Sequence, residues 1–483
     1  MYSVGLSPHG QAVARAIVGR RHAVGVFDVP ARAFDDGSTE IPTPVPGEPG
    51  RVVVVGAGIA GLTVANALTA AGVDCVVVEA RDRIGGRLHT VEVDGHVADL
   101  GGAWIHHPEG NVLSDWVEHA AVPWIVDPTG TRFTGADLGE GRRLGPEELA
   151  GVGYAVFEPV ARRVRADLAA GRPDRSVAEV VDEYLAEAGP PGAERDRLRQ
   201  LMAAMVEQDG AGPFDAISAR WALTEDMFVG DVVDHVPVGG YRSILSPLAA
   251  GLAIRLGLAV RRIEQTGDGV RVVGDGWSES GTHAVVTAPL GVLKSGAVEF
   301  VPPLPPQRQA IIDRTGFGTL EKVVLAFDEP FWRDRDPGLQ HSVIYPADRR
   351  EPAIWTWDFG LSPTLMFLVA HGAASSMRRD PLAWAVEQLE AVYGEPLPIA
   401  PTAFASTDWL GDRYARGAYA HVCFGERASD LDALGEPVDR ICFAGEYTGS
   451  ERAGYADGAM SSGLREAKRL LQQAAVRLVA PVG

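Results

Sequence analysis

The chain has little cysteine, no long apolar run and a deficit of positive charge. Its three cysteines are Cys75, Cys423 and Cys442. None forms a CxxC pair and their spacing fits no metal-ligand pattern, which excludes a disulfide framework and a thiolate metal centre. Cys75 and Cys442 fall inside strand-like apolar runs, as buried thiols of a reducing compartment do. No apolar stretch reaches the ~18 residues that a membrane span requires. Forty-four basic against 64 acidic residues give a net charge of −20. Such a surface repels nucleic-acid phosphates and anionic membranes and mildly favours cationic ligands. Arg20-Arg21 suggests a twin-arginine signal, but HAVGVFDVP follows it and is no apolar h-region. Export is therefore not expected, and the cytoplasm is.

Hydrophobic residues at 46% and charged residues at 22% describe a globular chain, and 483 residues exceed one ordinary core. Residues 1–50 stand apart as an arm, with one short helical candidate, QAVARAIVGR, and a Pro- and Gly-rich linker ending TPVPGEPG. Order begins at Arg51. Arg51-Val-Val-Val-Val55 reads as a strand buried on both faces. It runs into Gly56-Ala57-Gly58-Ile59-Ala60-Gly61, followed by a helix with apolar positions at Ile59, Leu62, Ala65 and Leu68. A second strand, Cys75–Val78, ends on Glu79, 18 residues after the third glycine.

This strand–turn–helix–strand unit is a dinucleotide site. Gly56 permits the tight turn, Gly58 lets the backbone approach a pyrophosphate, and Gly61 lets the helix pack on the strand. The helix N-terminus offers free N–H groups to the diphosphate. Glu79 is placed to accept the ribose hydroxyls.

The run that follows, Ala80-Arg-Asp-Arg-Ile-Gly-Gly-Arg87, resembles that of the flavin-containing amine oxidases, in which it wraps the diphosphate of FAD. Further segments in family order extend the resemblance from Arg51 to about Leu471. They are Asp99-Leu-Gly-Gly-Ala-Trp-Ile-His106, Val238-Gly-Gly-Tyr241, Val286-Thr-Ala-Pro-Leu-Gly-Val-Leu-Lys294, Gly316-Phe-Gly-Thr-Leu-Glu-Lys322, Phe443-Ala-Gly-Glu446 and Gly454-Tyr-Ala-Asp-Gly-Ala459 with Ser462-Gly463. The resemblance implies that Ala80, Arg81, Gly86, Arg87, Gly102, Ala103, Trp104, Val260, Trp409, Gly445, Glu446, Gly454, Tyr455, Ala456 and Ala459 bind FAD beside the glycine turn. Lys322 looks like the family lysine that holds a water against the flavin. Tyr419 and Tyr455 match the two rings that flank a substrate nitrogen in monoamine oxidases, and rings of this kind present their π faces to a cation.

Several details narrow the subfamily. Ala418 stands where covalently flavinylated monoamine oxidases carry cysteine, so attachment there is excluded and FAD is expected to be non-covalent. His106, after Trp104-Ile105, is similar to the histidine near the substrate nitrogen of polyamine oxidases. Asp457, by contrast, stands where polyamine oxidases and histone demethylases usually carry histidine. Glu207 falls where polyamine oxidases place a carboxylate for a distal ammonium, and Asp209, Asp226 and Asp231 share its stretch. Nothing in the sequence resembles the long helical insertion or the preceding histone-binding module of lysine-specific demethylases.

The fold expected is α/β. A discontinuous Rossmann-like FAD domain is built from 51–130, 236–296 and 405–473, and an α+β substrate domain from 131–235 and 297–404. The second takes strands from Lys322–Phe327, His341–Tyr345, Ala353–Trp357 and Leu365–Ala370 and mostly helices from 150–235. The expected reaction is oxidation of a di- or polyamine, or another primary or secondary amine, to an imine, with dioxygen as acceptor and hydrogen peroxide as product. No metal, nucleic acid or membrane partner is expected, and a homodimer is compatible with the chain. Three rivals stay open: a natural-product amine or amide desaturase or cyclase, an amino-acid oxidase, and a non-catalytic flavoprotein scaffold.

Overall fold

The computed structural model describes residues 45–47, 49–127, 133–224, 234–335, 341–348 and 350–478. The helical candidate at 11–20, Arg20-Arg21, Asp226 and Asp231 lie outside the described residues.

Five parallel strands form the first sheet, in the order Ile441–Phe443, His283–Val286, Arg51–Val55, Asp74–Val78, Ala253–Arg255. Their alternation explains the continuous valine runs. Val52 and Val54 enter one apolar cluster with the helix Ile59–Ala70, while Val53 and Val55 enter a second cluster on the other face. Both faces are covered, so no polar alternation survives in the sequence. The C-terminal helix Ala456–Leu478 packs on Ile59–Ala70, with Leu62, Ala65, Leu464 and Ala467 in one cluster. Gly463 permits this approach, because a Cβ there would lie 2.6 Å from the Ala60 carbonyl oxygen.

The second large sheet has seven strands in the order Ala403–Ser406, Leu320–Ala326, Thr364–Ala370, Ile354–Trp357, His341–Tyr345, Thr134–Asp137, Arg142–Leu144. Its pairings are antiparallel except between His341–Tyr345 and Thr134–Asp137. Strand Ala403–Ser406 forms one edge of this sheet, paired with Leu320–Ala326. The helices Pro146–Ala169, Val177–Ala188, Gly192–Gly210 and Ala219–Thr224 bury a cluster of their own. Helix Val177–Ala188 is closed at both ends, by a Ser176/Glu179 capping box and by Gly189 in the left-handed conformation. The end of the N-terminal linker is tied down: the Pro46 carbonyl oxygen accepts from Arg440 at 3.0 Å and lies 2.9 Å from His283 Nε2.

Among the described residues no helix is long and apolar enough to cross a membrane, and no group of His, Cys, Asp and Glu is arranged to hold a metal ion. Cys75 and Cys442 are buried, and burial pushes their thiols up, to about 12 for Cys75.

Candidate active site

A cavity of about 1060 Å³ runs from the glycine turn beneath the parallel sheet to the seven-stranded sheet. All the residues expected to bind the dinucleotide line it except Gly61, which is turned inward. The three glycines differ physically. Gly56 has φ +107°, which a residue with a side chain rarely adopts. A Cβ on Gly61 would lie 2.1 Å from the Gly56 carbonyl oxygen, so this glycine serves the packing of helix on turn. A Cβ on Gly58 would meet no protein atom within 4 Å and would project into open space. No contact within the protein requires glycine there, whereas a phosphate approaching the backbone would.

The helix Ile59–Ala70 has neither a side-chain cap nor an acid in its first turn, so its positive end is left for an anion. Glu79 is buried and accepts from Ala57 N at 2.7 Å and Arg81 N at 2.8 Å, clamping the turn to the end of the second strand. Each carboxylate oxygen keeps a lone pair for ribose hydroxyls. The run after it folds back on the turn, with Gly85 N donating to the Ala57 carbonyl at 2.8 Å. The open cradle, the uncapped helix and the buried acid fit a dinucleotide diphosphate and ribose.

At the other end, Glu446 gathers three segments. It accepts from Ala420 N at 3.2 Å, Gly454 N at 3.1 Å and Arg87 at 2.9 Å. Gly445 has φ +148°, and a Cβ there would lie 2.8 Å from the Tyr447 ring. Arg81 is paired with Asp412 at 2.7 Å. Ala418 lines the cavity with no nucleophilic atom, and its carbonyl accepts from Arg87 at 2.6 Å.

Lys322 is buried on strand Leu320–Ala326 and points into the cavity. Its Nζ donates to the Gly101 carbonyl at 2.6 Å and the Asp99 carbonyl at 3.2 Å, and stands 5.2 Å from the Trp104 ring centroid. Burial pushes the ammonium down to about 8, with the Asp99 carboxylate opposing. The segment Asp99–Trp104 is held in turn by Tyr241, whose N–H donates to the Asp99 carboxylate at 3.1 Å and whose hydroxyl donates to the Trp104 carbonyl at 2.6 Å.

Around this lysine lies an aromatic chamber. Trp104 donates its indole N–H to Asp127 at 2.7 Å and meets Trp357 edge-on, with 5.4 Å between centroids. Trp355 stacks on Trp357 at 5.6 Å, and Phe133 meets Trp355 edge-on at 4.9 Å. His106 Nδ1 lies 2.7 Å from Asp234, and its ring meets Tyr455 edge-on at 5.4 Å. Burial works against the Asp234 charge, but the contacts with His106 and His107 together outweigh it and hold this carboxyl below its ordinary range. Tyr419 and Tyr455 converge on the end of helix Gly192–Gly210. Tyr419 donates to the Gln208 carbonyl, and Tyr455 donates to Asp209 Oδ1 at 2.8 Å. Asp457 does not line the cavity. It binds Arg452 at 2.6 Å, and the Arg452 guanidinium lies 4.4 Å from the centre of the Tyr455 ring.

Comparison with known proteins decides the family. The model of the flavin containing amine oxidoreductases matches residues 59–471. The chain belongs to this family. It is a flavin-dependent amine oxidoreductase, and the FAD expected from the sequence is its cofactor. Among its relatives, "Lysine-specific histone demethylase 1 homolog 1" of Oryza sativa subsp. japonica is 32% identical over 90% of this chain and 54% of its own length. "Polyamine oxidase 3" of the same plant is 30% identical over 86% of this chain and 88% of its own length. The chain thus spans about half the length of the demethylase homologues it matches. A solved structure described as putrescine oxidase bound to putrescine shares the fold, with a TM-score of 0.69 at 22% identity over 88% of this chain and 99% of that one. The amine oxidoreductase fold expected for the chain is therefore the one it has.

Glu207 departs from its expected place. It does not line the cavity. Its carboxylate is buried and accepts from Phe214 N at 3.1 Å and Gly372 N at 3.2 Å, and burial pushes it up to about 7. Helical period supplies the reason: Met205, Gln208 and Asp209 share the face that lines the cavity, and residue 207 lies about 200° around from residue 205. Glu207→Gln replaces one acceptor with a donor opposite a buried N–H. It should cost about 1–3 kcal/mol of stability, measured by thermal unfolding, while the ratio of kcat/KM between diamines and monoamines stays unchanged.

Sequence reasoning missed Asp209 as a cavity residue, Asp234 as the partner of His106, and Glu321. Glu321, on the strand face opposite Lys322, accepts from Thr407 Oγ1, from Trp409 N at 3.0 Å and from Leu410 N at 3.3 Å, which positions Trp409. An acid inside an apolar strand was the available signal for Glu321. For Asp209 the signal was its place on the helix face shared with Met205.

Proposed function

We propose that the protein oxidises a small cationic amine, preferentially a di- or polyamine, to an imine, and passes the electrons to dioxygen. The carrying observation is one continuous cavity with two chemistries. The glycine cradle and Glu79 occupy one end, and Lys322, the tryptophans, Tyr419 and Tyr455 surround the other, with Asp127, Asp209 and Asp234 in the wall. Aromatic faces and carboxylates together select a cation over a neutral or anionic ligand.

When bound, FAD supplies the acceptor for the hydride leaving the carbon beside the substrate nitrogen, and its reoxidation by dioxygen yields hydrogen peroxide. The chain's residues prepare the substrate. Tyr419 and Tyr455, tethered through their hydroxyls, orient the nitrogen between their rings. His106, fixed by Asp234, lies beside Tyr455 and is placed to take the proton that an alkylammonium must lose before its lone pair is free. Lys322 has two protons committed to the Gly101 and Asp99 carbonyls, and its third donor position serves a water in the cavity. The apolar walls exclude bulk solvent and strengthen these contacts. In this reading the five-stranded sheet unit carries FAD, and the seven-stranded sheet with its helices carries the substrate.

An amine panel tests the proposal, with peroxide release read for monoamines, diamines, polyamines, amino acids and a methyl-lysine peptide. Diamines or polyamines should exceed neutral-tailed monoamines of equal length by at least ~10-fold in kcat/KM. Equal or better turnover of alkyl monoamines contradicts the polyamine preference. Turnover confined to the methyl-lysine peptide assigns the site to the activity that the demethylase relatives are named for.

A further inference from the structure

A second cavity, of about 320 Å³, lies beside the aromatic chamber on the same face of the seven-stranded sheet. Strand register fixes how close the two are. Lys322 stands opposite Leu368 and Leu368 opposite Trp355, and all three line the chamber. One step along the sheet, Val324 stands opposite Met366 and Met366 opposite Trp357, and these three line the second cavity. Residues two apart on a strand share a face at a spacing of about 7 Å, so a single register step separates the two spaces. Trp357 and Ala103, both buried, line both cavities and form the partition, with Trp357 and Phe359 packed against the Trp104 ring. The second cavity reaches the surface between Val97, Val238 and Leu361, which are 38%, 38% and 52% exposed. Polar groups in its wall are already engaged. The Asp99 carboxylate accepts from Tyr241 N at 3.1 Å and from Thr90 Oγ1, and the Ser362 and Thr364 hydroxyls bond each other at 2.9 Å.

We propose that this second cavity admits dioxygen to the cofactor, an inference that rests on dioxygen as the electron acceptor in the reading above. Dioxygen is small, uncharged and apolar, so an apolar passage costs it no hydration. An ammonium would surrender its hydration there to meet a carboxylate whose oxygens are already in use. The inner end of the cavity abuts Asp99 and Ala103, in the segment whose Asp99 and Gly101 carbonyls hold the Lys322 ammonium. Dioxygen crossing at Ala103 therefore arrives beside Lys322, where it takes up two electrons and two protons and leaves as hydrogen peroxide. The electrons and one proton are those of the C–H bond broken in the amine, and the other proton is the one its nitrogen loses. A separate approach lets the acceptor arrive while the imine still fills the aromatic chamber.

Xenon occupies apolar cavities and serves as the stand-in for dioxygen. In xenon-pressurised crystals of the FAD-loaded enzyme a xenon atom should sit beside Val324 and Met366, and Val324→Phe should remove it. In stopped flow, Val324→Phe should lower the second-order rate constant for reoxidation of the reduced enzyme by dioxygen at least about tenfold, by restricting access. Anaerobic reduction by the amine should keep the parent's rate, because Val324 lines the second cavity and not the chamber. Absence of xenon from the parent's cavity overturns the proposal, as does unchanged reoxidation in a variant that has lost the xenon. Equal slowing of both half-reactions also overturns it, since the added ring would then act through Lys322. A parent whose reduced flavin reacts with a dye acceptor and not with dioxygen sinks the dioxygen reading itself. Thr364→Phe, one register step further from Lys322, serves as the second variant should Val324→Phe fail to fold.

Discussion

Lys322→Met should slow flavin reduction, reoxidation or both by at least about 100-fold, the order of effect of a group that handles protons at the reacting centre, without removing FAD. Stopped-flow half-reactions measure this directly. The lysine ammonium meets the Asp99 and Gly101 carbonyls and faces the Trp104 ring, none of them at the diphosphate. Stability gives an independent readout. Burial sets the Lys322 ammonium at about 8 against an ordinary 10.5. A group depressed in the folded state contributes its full stability above the unfolded value and loses it as pH falls through about 8. At pH 7 the parent therefore carries a buried charge that methionine removes. The two freed carbonyls offset this by about 1–3 kcal/mol, so Tm should change little while the chemistry collapses. A pH inflection near 8 in the parent's kcat/KM should vanish in the variant. Half-reactions matching the parent's would remove Lys322 from the mechanism.

Gly58→Ala and Gly61→Ala should fail in different ways. A methyl at residue 58 meets no protein atom, so the apoprotein should fold with unchanged Tm. The same methyl occupies the phosphate approach, and the Kd for FAD should rise at least about tenfold through loss of a contact to charge. At residue 61 the methyl would stand 2.1 Å from the Gly56 carbonyl oxygen, a backbone atom that cannot step aside. That overpacking should cost about 1–3 kcal/mol or more even without ligand, and the distorted turn should also release FAD. Calorimetric Tm values of both apoproteins, with FAD titrations, separate the two. Equal destabilisation by both would mean that Gly58 is a packing glycine and the cradle is misassigned.

The cofactor end of the site was legible because its chemistry is local. A buried strand, a turn, a helix start and an acid at the next strand's end occupy consecutive sequence, and each residue's type follows from its backbone position, as at Gly56 and Glu79. The strands near 320–326, 341–345, 354–357 and 364–370 were readable for the same reason. The substrate end was not. Asp234 meets His106 across 128 positions, Asp209 meets Tyr455 across 246, and Glu321 meets Trp409 across 88. Only folding creates those pairs. Glu207 shows the cost of matching a position without its helical phase: sequence placed it beside Asp209, and the helix turned it to the opposite side.

The proposed oxidation of cationic amines by flavin and dioxygen is tested most directly by an anaerobic titration of the purified protein with a diamine, followed by air. The flavin absorbance should bleach stoichiometrically, the colour should recover on aeration with one hydrogen peroxide per flavin, and acid should release the flavin into the supernatant. Colour that persists through every amine of the panel would contradict it.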